Sequence, residues 1–172
     1  MAKLPIFTYP APVLAQKAQP VAEITPEIAM LIEDMIETMY ESYGVGLAAP
    51  QVGKSIRLIT LDETGPKERK SPMVLINPEY LEQSGVKESE ESCLSLPTFS
   101  CKVKRFETIT VKGLDQKGEV IEIKAEGLLA IILQHEIDHL DGILFIDHIS
   151  PLKREIFKKR YRRQMEDPQE RP

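Results

Sequence analysis

The stretch Gln134-His135-Glu136-Ile137-Asp138-His139-Leu140-Asp141-Gly142 decides how the rest of this chain is read. It holds two of the protein's three histidines, at positions i and i+4. On a helix that spacing sets both imidazoles on one face, about one turn apart, where they can share a metal ion. Glu136 follows the first histidine directly, so its carboxylate can reach a water held on that metal. Residues 128–133 are apolar nearly all round, which predicts a buried helix over about 126–140, stopped by Gly142. Two imidazoles and a carboxylate on a buried helix need partners, and a metal ion supplies them. Two core histidines bonded to backbone are the simpler alternative.

Working outward, residues 108–114, the turn Asp115-Gln116-Lys117-Gly118 and residues 119–124 read as a hairpin leading into that helix. Residues 56–61 and 73–77 read as strands, the second closed by Pro78, with one or two short strands more in 80–91. The segment 63–71 is charged and reads as an exposed loop. The first 24 residues are broken by Pro5, Pro10, Pro12 and Pro20, which predicts an extended arm with at most one helical turn near 13–17. Thr25-Pro26 is a cap followed by proline at the first helical position. Ile28, Leu31, Ile32, Met35, Ile36, Met39 and Tyr43 then recur at helical spacing as a core face, and Gly44 is placed to end the helix. A basic helix is expected over 151–165, and residues 167–172 are expected to fray. Strands in the middle with helices before and after predict an α+β fold: mostly antiparallel sheets around a central buried HExxH helix, with an N-terminal helix and a C-terminal basic helix.

At 172 residues the chain fits one domain, expected over 1–166. The net charge is −5, but residues 151–172 hold eight Lys/Arg against four Asp/Glu, so an acidic body precedes a basic tail. The whole chain therefore carries no DNA-binding signal. No apolar run approaches the roughly 18 residues of a membrane span, and nothing before Pro5 and Pro10 resembles a secretory signal. Two cysteines, Cys93 and Cys101, make no disulfide framework, which predicts a cytoplasmic location.

A catalytic zinc-like site wants three protein ligands and one open position. His135 and His139 supply two. His148 and Glu155 are the nearest downstream candidates for the third, but His148 reads as a surface or rim histidine and Glu155 lies in the basic tail. Cys93, in a short segment bounded by Ser and Pro, is the better candidate. Cys101 reads as an ordinary free thiol. GVGLAAPQVG at 44–53 brings small residues that let a backbone approach something closely, as a tight turn also requires.

These residues carry a resemblance. GVGLAAPQVG at 44–53, ESCLS at 91–95 and QHEIDHLDG at 134–142 resemble the three signature motifs of the peptide deformylases, in that family's order and spacing. Residues 14–21 resemble its N-terminal arm and 149–154 its C-terminal lead-in, so the likeness covers about 4–160. Ser92 departs from it, standing where the family usually has glycine, and a serine there requires a negative φ.

The resemblance implies hydrolytic removal of the formyl group from the N-terminal formylmethionine of new polypeptides, releasing formate. Cys93, His135 and His139 are then the metal ligands. A metal-bound hydroxide attacks, with Glu136 as general base and then acid. The Gln51 amide, the Leu94 N–H and the metal are the expected oxyanion donors. The Gly46 backbone is expected to pair with the substrate chain, and Val45, Leu128, Ile131 and the His135 ring to line a methionine pocket. Glu91 is expected to orient a ligand, and Asp138 to pair with Arg105. The metal implied is one divalent ion, Fe(II) in vivo, with Zn(II), Ni(II) and Co(II) suited to the same ligands. The implied partners are N-formylmethionyl nascent peptides and, through the basic helix, the ribosome, with neither membrane nor DNA. An HExxH peptidase with a downstream third ligand, and a metal-stapled ribosome-associated module without activity, are the competing readings.

Overall fold

The computed structural model describes residues 2–167. Its first helix, α1 (Pro26–Glu41), starts where the sequence places it: the Thr25 hydroxyl accepts the Ile28 N–H, and Pro26 sits where no donor is needed. The C-terminus differs. Tyr43, not Gly44, takes the left-handed conformation (φ +60°), and the N–H groups of Gly44 and Tyr43 close the helix onto the carbonyls of Met39 and Tyr40. What Gly44 supplies is room, since a Cβ there would lie 3.0 Å from the Leu94 side chain.

The chain continues through β1 (Gly46–Ala48) and β2 (Leu58–Leu61) to α2 (Gly65–Glu68), a single helical turn inside the segment expected to be a loop. The turn forms because the buried Asp62 carboxylate collects the N–H groups of Thr64 and Ser71 and the hydroxyls of Thr64 and Tyr40. β3 (Met73–Ser84) runs past Pro78 instead of ending there. Asn77 at φ +52° and a register shift between Ile76 and Glu79 form a bulge, which takes the proline's missing donor out of the ladder.

β4 (Lys87–Cys93) and β5 (Leu96–Arg105) form a separate two-stranded sheet. No strand was expected over 98–105. Phe99, Cys101, Val103 and Arg105 do alternate inward along it, but a buried arginine and a cysteine hide the apolar period. β6 (Thr108–Leu114) and β7 (Val120–Glu126) make the expected hairpin, its turn held by Asp115 accepting from the Lys117 and Glu119 N–H groups. The main sheet is antiparallel throughout, in the order β1-β2-β3-β6-β7.

The central helix α3 (Gly127–Leu140) buries Ala130, Leu133, Ile137 and Leu140 against Leu61, Leu75 and Val111. On the other side, Ile32, Met35 and Met39 of α1 meet Leu58 and Ile76. The sheet is thus apolar on both faces, which is why β2 reads as an unbroken run rather than an alternation. The last helix, α4 (Pro151–Glu166), is capped by Ser150 and buries Phe157 and Tyr161 against Leu96, Val103 and Phe145. Tyr161 donates its hydroxyl to the Tyr9 carbonyl, tying the N-terminal arm to α4. Beyond Asp167, the expected fraying of 167–172 lies outside the described residues. No described helix is long and apolar enough to cross a membrane.

Candidate metal centre and active site

α3 presents His135 and His139 along one face, their rings 5.0 Å apart, and the end of β4 brings Cys93 to meet them. The ligand atoms of the three residues lie within 4.8 Å of one another, with Cys93 Sγ 3.3 Å from His139 Nε2. One thiol and two imidazoles at that separation form a set that can hold one divalent ion. The downstream candidates lie elsewhere. His148 bonds to Asp138 at 2.7 Å, and Glu155 pairs with Lys158 on the surface of α4.

Burial opposes charge on His135, but its hydrogen bonds to Cys93 and Glu91 and the nearby Glu136 outweigh it and hold its pKa well above the ordinary range. The surroundings of this ring therefore favour its protonated form, and a metal binds there by displacing that proton. His139, buried and facing His135 and Arg105, has its pKa pushed well below the ordinary range and is neutral, the form that binds metal. Its Nδ1 is buried without a partner among the described residues, as is Oε2 of Glu136. An orphaned carboxylate oxygen beside three converging ligand atoms is what a metal site would leave in the protein alone, whereas the His139 nitrogen that faces Cys93 is Nε2, so an ion there does not account for Nδ1.

Glu136 is buried, and desolvation lifts its pKa to about 7, the attraction of His135 offsetting only part of the rise. A carboxylate poised there can take and return protons at neutral pH. Its position depends on Gly46: a Cβ at that residue would lie 2.5 Å from Glu136 Oε1. Gly46 thus makes room for the acid, a steric role that adds to the backbone pairing expected of it.

Glu91 accepts from His135 Nδ1 at 2.8 Å, which leaves Nε2 as the nitrogen available to a metal. Arg105 grips Glu91 with two bonds of 2.8 and 2.7 Å and reaches Asp138 at 2.6 Å, so the expected Arg105–Asp138 pair is one arm of a larger network. Burial alone would raise the pKa of Glu91, but the bonds from Arg105 and His135 prevail and bring it to about 2. His148 is exposed at the surface, one of the two placements expected of it, yet it shares the Asp138 oxygen with Arg105.

A cleft of about 700 Å³ opens over these groups, with Val45, Gly46, Gln51, Leu94, Leu128, Ile131, His135 and Glu136 in its walls. Leu128 stands half exposed at the mouth (52%). Gln51 is fully buried, its Oε1 accepting from the Ala48 N–H at 2.9 Å and its Nε2 directed to Ser95 Oγ at 3.1 Å and Cys93 Sγ at 3.6 Å. Ser92 is exposed in the cleft wall, and its φ lies outside the left-handed region, so serine is accommodated there without backbone strain. Two neighbours escaped the sequence reading. Ser95 lies inside a motif whose cysteine drew the attention, and Phe7 of the arm carries no local signal at all.

The groups assembled here share one chemistry, the metal-assisted hydrolysis of an amide, and that is the class of enzyme the fold and the pocket define. The sequence model of the polypeptide deformylase family matches residues 3–155. The chain belongs to that family, whose members remove the N-formyl group from nascent peptides. The peptide deformylase of Thermodesulfovibrio yellowstonii is 56% identical over 162 residues, covering 94% of this chain and 98% of that relative. That of Syntrophobacter fumaroxidans is 47% identical over 167 residues, covering 97% and 98%. The crystal structure of a peptide deformylase from Legionella pneumophila superposes with a TM-score of 0.89 at 44% identity, over 97% of this chain and all of that one.

Proposed function

We propose that deformylation in this chain is carried by Glu136, with one divalent metal held by Cys93, His135 and His139. The observation that carries the reading is the buried Oε2 of Glu136, unpartnered beside three ligand atoms that lie within 4.8 Å of one another. A divalent ion in that position supplies Lewis acidity, which makes hydroxide accessible near neutral pH. Glu136 takes the proton of the attacking water and delivers it to the leaving amine, after which formate and a free N-terminus remain. The Gln51 Nε2 and the Leu94 N–H donate to the developing oxyanion. β1 is an edge of the five-stranded sheet, so the backbone of Gly46 can accept a substrate chain as an added strand. Val45, Leu128, Ile131 and the His135 ring form the apolar seat for the methionine side chain.

The ion we assign is Fe(II). A thiol and two imidazoles also suit Zn(II), Ni(II) and Co(II), and a sulfur ligand makes the iron form sensitive to oxidation. On α4, Lys153, Lys159, Arg160, Arg162 and Arg163 are exposed, while Arg154 is used internally, donating to the Ile146 and Asp147 carbonyls. Phe157 and Tyr161 hold the helix on the body and leave Leu152 and Ile156 outward. We assign this face to docking on the ribosome through RNA phosphates, which fits a cytoplasmic enzyme whose substrates are nascent chains. Salt-independent or absent co-sedimentation with ribosomes would remove that assignment.

The test of the reaction is formate release from an N-formylmethionyl tripeptide. The protein is reconstituted anaerobically with Fe(II) or Ni(II), and Glu136→Ala is assayed alongside. Turnover that disappears in the variant while metal content stays level is the expected result. Metal-loaded protein without turnover would overturn the reading.

A further inference from the structure

We propose that Ser95 is a positioning residue for the Gln51 amide, and that the carbonyl of Phe7 in the N-terminal arm fixes the direction in which Ser95 acts. The inference rests on the reading of Gln51 as an oxyanion donor. A glutamine carboxamide can turn over, presenting either oxygen or nitrogen to a substrate, and only the nitrogen can stabilise negative charge. Here both ends of the amide are committed. The Ala48 N–H donates to Oε1 at 2.9 Å, which a nitrogen in that place could not accept. Nε2 donates to Ser95 Oγ at 3.1 Å.

A free hydroxyl would serve an amide in either orientation, because it both donates and accepts. Ser95 is not free. Its hydroxyl donates to the Phe7 carbonyl at 2.7 Å, so its proton is spent and it offers Gln51 only lone pairs. The Phe7 carbonyl thereby selects the amide orientation two bonds away. Ser95 is fully buried (0%), so no solvent competes for these bonds.

The arm closes the arrangement from both sides. The Phe7 N–H donates to the Gln51 carbonyl at 2.7 Å, and the Tyr9 N–H to the Ser95 carbonyl at 2.8 Å. The Phe7 ring lies over Gly53, where a Cβ would come within 2.7 Å of the ring edge. Gln51 and Ser95, 44 residues apart, are thus stitched together by one short stretch of the arm. The arm works as part of the site although it contributes nothing to the wall of the cleft.

The test is a set of steady-state measurements on the metal-loaded enzyme: wild type, Ser95→Ala, Phe7→Ala, Gln51→Ala and the two doubles with Gln51→Ala. Metal content and melting temperature are measured on each. Loss of one oxyanion donor typically costs about 10²–10³ in kcat. Ser95→Ala leaves the amide held at Oε1 and, at its nitrogen, by the longer contact to Cys93 Sγ alone, so its kcat should fall by about 10-fold with KM within about 2-fold. Phe7→Ala, which loosens the carbonyl but keeps the hydroxyl, should show a smaller fall. It also serves if Ser95→Ala does not fold. In the Gln51→Ala background neither change should lower kcat further, because the group being positioned is gone. Equal falls with and without Gln51 would overturn the inference, as would wild-type kcat in both single variants. A Gln51→Ala enzyme with undiminished kcat would instead overturn the oxyanion reading itself.

Discussion

Replacing Gly46 by alanine separates the fold from the chemistry. The added Cβ would lie 2.5 Å from Glu136 Oε1 and 2.9 Å from both Cδ and Cγ of that residue. Ordinary contact needs about 3.5 Å, so the carboxylate must retreat by about 1 Å. The φ of Gly46 lies outside the left-handed region, and alanine can adopt the backbone as it stands. The atom that yields is the end of a flexible side chain, so the melting temperature and metal content should barely move. Activity should move a great deal. A misplacement of about 1 Å costs on the order of 10²-fold in rate, or about 2.7 kcal/mol in the barrier. The assay is formate release from an N-formylmethionyl tripeptide at saturating substrate, compared with Glu136→Asp and with the double variant. Glu136→Asp already withdraws the carboxylate from Gly46, so adding Gly46→Ala to it should cost less than about 3-fold more. Wild-type kcat in Gly46→Ala, or a full 10²-fold further loss in the Asp background, would refute the steric reasoning.

Three further outcomes follow from the same structure. Cys93→Ala should fail to retain metal by elemental analysis. Metal removal should lower the wild-type melting temperature by roughly 5–11 °C, equivalent to about 2.7 kcal/mol at 100-fold ligand excess, and leave Cys93→Ala unmoved; stoichiometric metal in Cys93→Ala would contradict the ligand assignment. Arg105→Ala leaves Glu91 with His135 and Asp138 with His148 as their remaining charged partners, and breaking a buried pair in this way costs about 3–5 kcal/mol, readable in a urea titration. It should also weaken metal affinity 10–100-fold through the loosened His135, and unchanged stability and affinity would argue against the network. Asp62→Asn tests pH dependence away from the metal. Burial alone would raise the Asp62 pKa, but the hydroxyls of Thr64 and Tyr40 and the N–H groups of Thr64 and Ser71 prevail and lower it. A carboxyl lowered in the folded state adds stability above its unfolded pKa of about 3.9, and that stability is lost as pH falls through the folded value. The stability gap between wild type and Asp62→Asn should therefore be wide at pH 7 and narrow below pH 4, whereas a constant gap would show that the charge is not what matters.

The parts of the fold legible in the sequence were those in which one local rule acts alone. α1 announces itself through Thr25-Pro26 and its apolar spacing, the β6–β7 hairpin through its turn, and α3 through an apolar run closed by Gly142. Reading failed where two demands fall on one residue. Gly44 looked like a helix stop, but packing against Leu94 claims it, and Tyr43 takes the left-handed conformation instead. Pro78 looked like the end of a strand, but a bulge at Asn77 carries β3 past it. β5 was hidden because one of its buried positions is filled by Arg105 and another inward position by Cys101.

That arginine also shows why residue spacing marks the candidate ligands but not their support, for which only the family resemblance raised an expectation. His135, Glu136 and His139 lie on one helix, so spacing alone brings them together. Cys93 reaches them from β4, and its motif marks it. The supporting groups meet only in three dimensions: Arg105 finds Glu91 across the β4–β5 pair and Asp138 on α3. Their logic is one of charge. Glu91, Asp138, Glu136 and the Cys93 sulfur concentrate acidic groups in a buried volume, and a single arginine cannot balance them all. Its bonds go to Glu91, Asp138 and His148, and none among the described residues to Glu136 or Cys93. The arginine's charge is thus committed to the layer behind His135, and the acidic groups facing the cleft are left to His135 or to a cation from outside. A second arginine in reach of Glu136 would pair with the buried carboxylate and lower the pKa that burial raises. With Arg105 bound to Glu91 and Asp138, Oε2 of Glu136 is left without a partner among the described residues, which is the arrangement the proposed metal and base roles need.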